Sequence, residues 1–152
     1  MIKITKVIWM LLLPLMLLAT ACSDSDDLGA IFIGHTWKLS CIRQSSSQNA
    51  MTQENQQKLN DSADDCYIIT FAEDQFTCRT TNKSFSGTWT VNGEDHTISF
   101  SFQNASSVTG SDEISRQMIN ILKNATRYEG DTHQLSIHQA SGPYLLFYPL
   151  SD

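Results

Sequence analysis

Basic residues are scarce in this chain. It holds 10 Lys and Arg against 16 Asp and Glu in 152 residues. Lys3 and Lys6 both precede Asp24, the first acid, so the chain beyond them carries eight basic and sixteen acidic residues, a formal charge of −8. A nucleic-acid partner needs a basic face to neutralise its phosphates, so that class is excluded. Proline and glycine are also few, 3 and 7, while 41% of residues are apolar. That balance suits one domain with a single core.

Motifs that announce a chemistry are missing too. No C-x-x-C occurs, which argues against redox work, and no G-x-S-x-G marks a nucleophile. The histidines are His35, His96, His133 and His138, and H-E-x-x-H is absent. His133 and His138 are five apart and would fall on opposite faces of a strand, so no metal pair is expected. The acid pairs Asp64/Asp65, Glu73/Asp74, Glu94/Asp95 and Asp112/Glu113 sit at turns or a helix start, and no D-x-D-x-D-G loop spaces them for calcium. The expectation is a protein without catalytic residues, metal or cofactor, and not an enzyme.

A long apolar run is absent as well. Val7 to Leu18 is an apolar stretch of about 12 residues, short of the roughly 20 that span a bilayer. Preceded by Lys3 and Lys6 and followed by Ala19, Thr20 and Ala21, it reads as a secretory leader. The junction with Cys22 resembles the lipobox of bacterial lipoproteins, which implies cleavage before Cys22, a diacylglycerol on its sulfur and an acylated amine. The alternative is an ordinary A-x-A leader that leaves a plain thiol. The acyl chains would hold the chain to a membrane. Ser23 takes the place of the inner-membrane retention Asp. Ser23 to Asp27 resembles the surface-export signal of Bacteroidota lipoproteins, so an outer-membrane position is expected, surface-exposed or periplasm-facing. Residues 1–21 are then the signal peptide, 22–34 an acidic tether and 35–150 the domain.

From His35 onward apolar residues alternate, the pattern of half-buried strands. HTWKLSCI (35–42) puts Trp37, Leu39 and Cys41 on one side. Residues 43–65 form a long polar loop with helical turns around Thr52 to Leu59. CYIITF and FTCRTT, joined by AEDQ, make the clearest hairpin, with Phe71 opposite Phe76 and Ile69 opposite Cys78. KSFSGTWTV (83–91) and HTISFSF (96–102) continue the meander. SDEISRQMINILKNATRY (111–128) switches to a helical stripe of Ile114, Met118, Ile121, Leu122 and Ala125, with Ser111 as N-cap. A last hairpin, 133–139 and 143–150, leaves its buried face undecided, because Tyr144, Leu146 and Tyr148 compete with Leu145 and Phe147. The predicted fold is mainly β: a small antiparallel meander barrel or curved sheet of about seven strands, with one amphipathic helix before the last hairpin.

GHTWKL, ITFAEDQF, FSGTWTVNG, RYEGDTHQLSI and YLLFYPL, covering His35 to Leu150, resemble the small Bacteroidota lipoproteins of the META/HslJ-like and lipocalin-like groups, including domains of unknown function. The resemblance implies a fold and an envelope location, with no catalytic residues to carry over. Asp61-Ser62-Ala63 resembles the Bacteroidota O-glycosylation sequon and implies a sugar on Ser62.

With Cys22 acylated, Cys41, Cys66 and Cys78 remain in an oxidising compartment. A Cys41–Cys66 bridge would close a loop of about 25 residues and add ~3 kcal/mol; Cys41–Cys78 and no bridge are the alternatives. The inward aromatics Trp37, Phe76, Trp89 and Phe100 line a pocket or fill a core, and a barrel this small favours the core. Two functions follow: a non-catalytic binding or envelope-structural module that meets an envelope protein or a small apolar ligand, or an inhibitor of a hydrolase such as lysozyme. The second rests on S-G-T-W (86–89), which resembles the S-G-x-Y loop of lysozyme inhibitors although its Trp89 points inward.

Overall fold

The computed structural model describes residues 24–151; the leader, Cys22 and its expected lipid lie outside them. Strands β1 (Thr36–Arg43), β2 (Ile68–Phe71), β3 (Gln75–Arg79), β4 (Ser84–Asn92), β5 (Thr97–Phe102), β6 (Ala125–Gly130), β7 (Leu135–Gln139) and β8 (Tyr144–Pro149) pair in chain order and close on each other as an antiparallel barrel. The predicted meander is therefore right in kind, with eight strands in place of about seven. The additional strand comes from the expected helix. Helix α3 (Glu113–Lys123) stops five residues before Tyr128, and the remainder becomes β6, where Tyr128 pairs with Ile137. Asp112 rather than Ser111 caps it, accepting from the Ser115 amide at 2.9 Å. Helix α2 (Gln53–Asn60) lies in the long loop, capped by Thr52, and buries Leu59.

The hairpin registers follow the predicted pairs, Phe71 with Phe76 and Ile69 with Cys78. Gly87 is required by a close approach. A Cβ there would run into the Ser101 carbonyl and the Phe76 ring. The seam that closes the barrel carries one irregularity. Leu39 faces Phe147 and Cys41 faces Leu146, so Ser40 is an extra residue on β1. The bulge reverses the alternation: Ile42, not Cys41, takes the inward place opposite Leu145. It also settles the last hairpin, in which Leu145 and Phe147 point in and Tyr144, Leu146 and Tyr148 point out.

Both ends of the barrel are stoppered. At one, helix α1 (Asp24–Phe32) inserts Phe32, 0% exposed, against Phe71, Trp89 and Tyr128 with ring centroids 5.0 to 5.1 Å apart. The boundary drawn at residue 35 therefore moves: the last part of the expected tether belongs to the core. At the other, α3 lays Ile114, Met118, Ile121 and Leu122 over the opening. Lys123 anchors its last turn to the carbonyls of Val108 and Ala105 at 2.7 and 3.0 Å.

Cys41, Cys66 and Cys78 are free thiols. The expected Cys41–Cys66 bridge is absent, and so is the Cys41–Cys78 alternative. The bulge turns Cys41 outward, where the Arg43 Nε donates to its sulfur at 3.3 Å. Cys66 stays in the approach to β2, its carbonyl held by the Lys38 ammonium at 2.8 Å. Cys78 faces the core opposite Ile69, and burial pushes its thiol up to about 12. A thiol reagent should therefore modify Cys66 first and reach Cys78 only on unfolding; peptide mapping of a time course measures the order, and early labelling of Cys78 would contradict this packing. Phe32→Ala should cost about 3 kcal/mol by urea denaturation, since the cavity it leaves is walled by three rigid rings.

Candidate functional site

Beyond the bulge in β1, and beyond a second register shift between Ala125 and Arg127 of β6, the outer wall across β6, β7, β8 and β1 is laid out in rows. One row carries large side chains: Arg127 opposite His138, and Tyr144 opposite Arg43. His138 and Tyr144 stack, centroids 4.3 Å apart and planes 20° from parallel. The next row starts at Glu129 and is then small or apolar: Ser136 opposite Glu129, then Leu146, then Cys41. Tyr148 follows, opposite Lys38 and 43% exposed. A low row between two tall ones is a trough. Its floor is Ser136 and Leu146, 6% and 5% exposed although they face outward. The space holds about 220 Å³, lined also by Arg43, Glu129, Gln134, His138, Tyr144 and Tyr148. A second hollow of about 310 Å³ continues past His138 and Tyr144 toward the β7–β8 turn.

The polar groups on the floor are mutually satisfied. The Ser136 hydroxyl donates to the Glu129 carbonyl at 3.2 Å, and His138 Nε2 lies 3.0 Å from the same Oγ. The Glu129 carboxylate also approaches Nε2, at 3.9 Å. In a Ser–His–acid triad the acid holds the other ring nitrogen and Nε2 accepts from the serine. Here serine and acid both approach Nε2, an arrangement that differs from the triad's. Burial pulls the His138 pKa below its ordinary value, with the Arg127 cation adding to the effect and Glu129 opposing it. The ring is neutral at pH 7.

Arg43 stands at the trough's edge with its Nε on Cys41 and its Nη1 on the Ser47 carbonyl at 3.1 Å. The other arginines each meet a carboxylate: Arg79 meets Asp65, Arg116 meets Glu113, and Arg127 meets Glu129. Among the described residues Arg43 meets none.

The residues singled out from sequence fall elsewhere. Trp37, Phe76 and Trp89 are buried and Phe100 is half-buried against them. Their indoles donate to the Ile31 carbonyl (Trp37, 3.2 Å) and the Ala72 carbonyl (Trp89, 2.9 Å). Phe76 packs edge-on against Phe100 and Phe102, centroids 5.1 and 5.0 Å away. These four are core, of the two roles weighed. S-G-T-W lies inside β4, with Trp89 in the interior. Ser62 follows α2, half-buried, its hydroxyl donating to the Leu59 carbonyl at 2.6 Å and accepting from Lys38 at 2.9 Å. The trough residues escaped sequence reasoning because they sit on the hairpin whose facing was open. A signal was present in the alternation of S-I-H and Y-L-L-F-Y, but only the bulge fixes its phase.

A family model described as a domain of unknown function (DUF4847) matches residues 23–149. The chain belongs to the DUF4847 family. The crystal structure of a DUF4847 family protein from Bacteroides vulgatus ATCC 8482 superposes with a TM-score of 0.64 at 21% identity, covering 80% of this chain and 96% of that one. The NMR structure of a protein from Burkholderia xenovorans gives 0.54 at 13% identity, covering 86% and 90%. At these identities the likeness is one of fold. No curated protein matches this DUF4847 domain.

The depressed His138 sets a pH dependence. The unfolded histidine binds a proton near pH 6.5 and the folded one only at lower pH, so stability should fall as pH drops through 6.5 to the folded value and level off below it. Arg127→Ala should raise the His138 midpoint in an NMR titration; no movement would remove Arg127 as a cause.

Proposed function

We propose that this DUF4847 chain is a lipid-anchored lipoprotein of the outer membrane, surface-exposed or periplasm-facing, whose barrel is a non-catalytic binding module. Contact with a ligand or an envelope partner takes place on the outer wall, at the trough. The observation that carries this reading is the contrast between the interior and the wall. The inside is filled by Trp37, Phe76, Phe147 and Met118 and stoppered at both ends, whereas the wall offers a hollow with unspent donors. Interior carriage of a small apolar ligand is disfavoured for the same reason. Hydrolase inhibition loses its one motif once Trp89 is a core residue. Kinship with the META/HslJ-like or lipocalin-like groups rests on the sequence motifs and the meander topology.

The anchor is supported by Lys3 and Lys6, the apolar stretch after them and the small residues before Cys22. Radiolabelled palmitate should enter the wild-type chain in a bacterial host, and Cys22→Ala should lose both label and membrane sedimentation. A Cys22→Ala chain that stays labelled would sink the anchor. Protease shaving of intact cells assigns the facing. For the module itself, a fluorescent fatty-acid probe should leave Trp37 and Trp89 emission unchanged; saturable quenching would return the ligand to the interior.

A further inference from the structure

The trough supplies more than a hollow, and its chemistry narrows what fits it. We propose that it binds a saccharide bearing a carboxylate, of the uronic-acid type, with the Arg43 guanidinium on the carboxylate and the sugar ring against the exposed face of Tyr148. This assignment rests on the outer wall being the binding surface.

Charge supplies the first argument. In a domain with twice as many acids as bases, three of the four arginines are taken by carboxylates. Arg43 is instead held by groups that do not neutralise it, a thiol through Nε and a carbonyl through Nη1, and Nη2 donates to nothing among the described residues. A guanidinium fixed at two corners and open at the third is preorganised for an incoming carboxylate. Glu129 at the far end is already paired with Arg127, so it does not cancel the attraction.

The floor and walls supply the second. A pyranose has one face of C–H bonds and a belt of hydroxyls that each donate and accept. Tyr148, 43% exposed, offers an aromatic face to the C–H side of such a ring, at the edge of the floor that Ser136 and Leu146 close. Around the rim the Gln134 amide, the Glu129 carboxylate and the free Nδ1 face of neutral His138 mix donors with acceptors, as a hydroxyl belt requires. A peptide carboxylate would share Arg43, but its side chain would find no apolar pocket here. The volume of about 220 Å³ lies below the roughly 300 Å³ at which drug-sized sites begin, and suits a single sugar ring. The adjoining hollow past Tyr144 leaves room for the next residue of an oligosaccharide.

The test uses the full chain in detergent micelles, with isothermal titration calorimetry for affinity and backbone amide shifts for location. The ligands are a galacturonate trisaccharide, the matched neutral galactose trisaccharide, an acetylated dipeptide with a free carboxylate and a mixture of small fragments. The acidic sugar should bind and shift the amides of β7, β8 and Arg43. The neutral sugar should bind at least tenfold more weakly, as loss of a charge-assisted bond implies. Arg43→Gln should abolish that difference and Tyr148→Ala should weaken both sugars, while the spectra of both variants keep the dispersion of a folded barrel. Equal affinity for the two sugars, or binding of the dipeptide in their place, would overturn the acidic-sugar assignment and leave the trough as the binding surface. If none of the ligands, fragments included, moves the trough amides, the outer-wall reading falls with it.

Discussion

One extra residue in the closing seam organises this molecule. An antiparallel sheet of eight strands becomes a barrel only when its first and last strands pair, and here they do so with Ser40 as a bulge. Residues before it keep the alternation set by Trp37 and Leu39. Residues after it reverse that alternation, so Ile42 enters the core and Cys41 and Arg43 face outward. Both the filled interior and the trough depend on that reversal. Without it Arg43 would not stand opposite Tyr144 on the outer wall.

The closed barrel leaves two openings, and each is met by a helix with its own means of attachment. Phe32 enters one opening on α1 and is held by three rings. At the other, Asp112 and Lys123 tie the two ends of α3, and Asp112 also accepts from the Thr81 hydroxyl at 3.1 Å. The long loop is secured from below by Lys38, whose ammonium donates to Ser62 Oγ and to the carbonyls of Ala63 and Cys66. That clip does by hydrogen bonding what a bridge between Cys41 and Cys66 was expected to do covalently. Among the described residues no buried side-chain polar atom lacks a partner, which fits an interior built for packing.

With the inside occupied, the accessible polar groups lie on the outside. An eight-stranded barrel is just wide enough for its own side chains, so aromatic residues inside it report stability rather than a ligand. The groups with spare capacity are on the wall: a guanidinium without an acid, an exposed tyrosine, and a neutral histidine whose second nitrogen is free to meet a hydroxyl. Ser136 and His138 differ from a triad's pair in geometry, because the Glu129 carboxylate approaches the same ring nitrogen as the serine.

Much of the fold was legible in the residues, and the reasons are local. Alternation at Tyr67 to Cys78 marked the first hairpin and its register, because a two-residue period places each side chain on a definite face. The 3.6-residue stripe from Ile114 to Leu122 marked α3 for the same kind of reason. It could not say where the helix ended, since Ala125 and Tyr128 fit either period and only pairing of Tyr128 with Ile137 makes them a strand. Composition likewise determined the acidic charge and the absence of familiar catalytic motifs. The tertiary structure alone decided barrel closure, the outward turn of Cys41, the free thiols, the burial of Phe32 beneath a stretch that composition marked as a tether, and the trough. Each depends on strands far apart in the chain meeting in one register, and a bulge of one residue changes that register without leaving a mark in the local sequence.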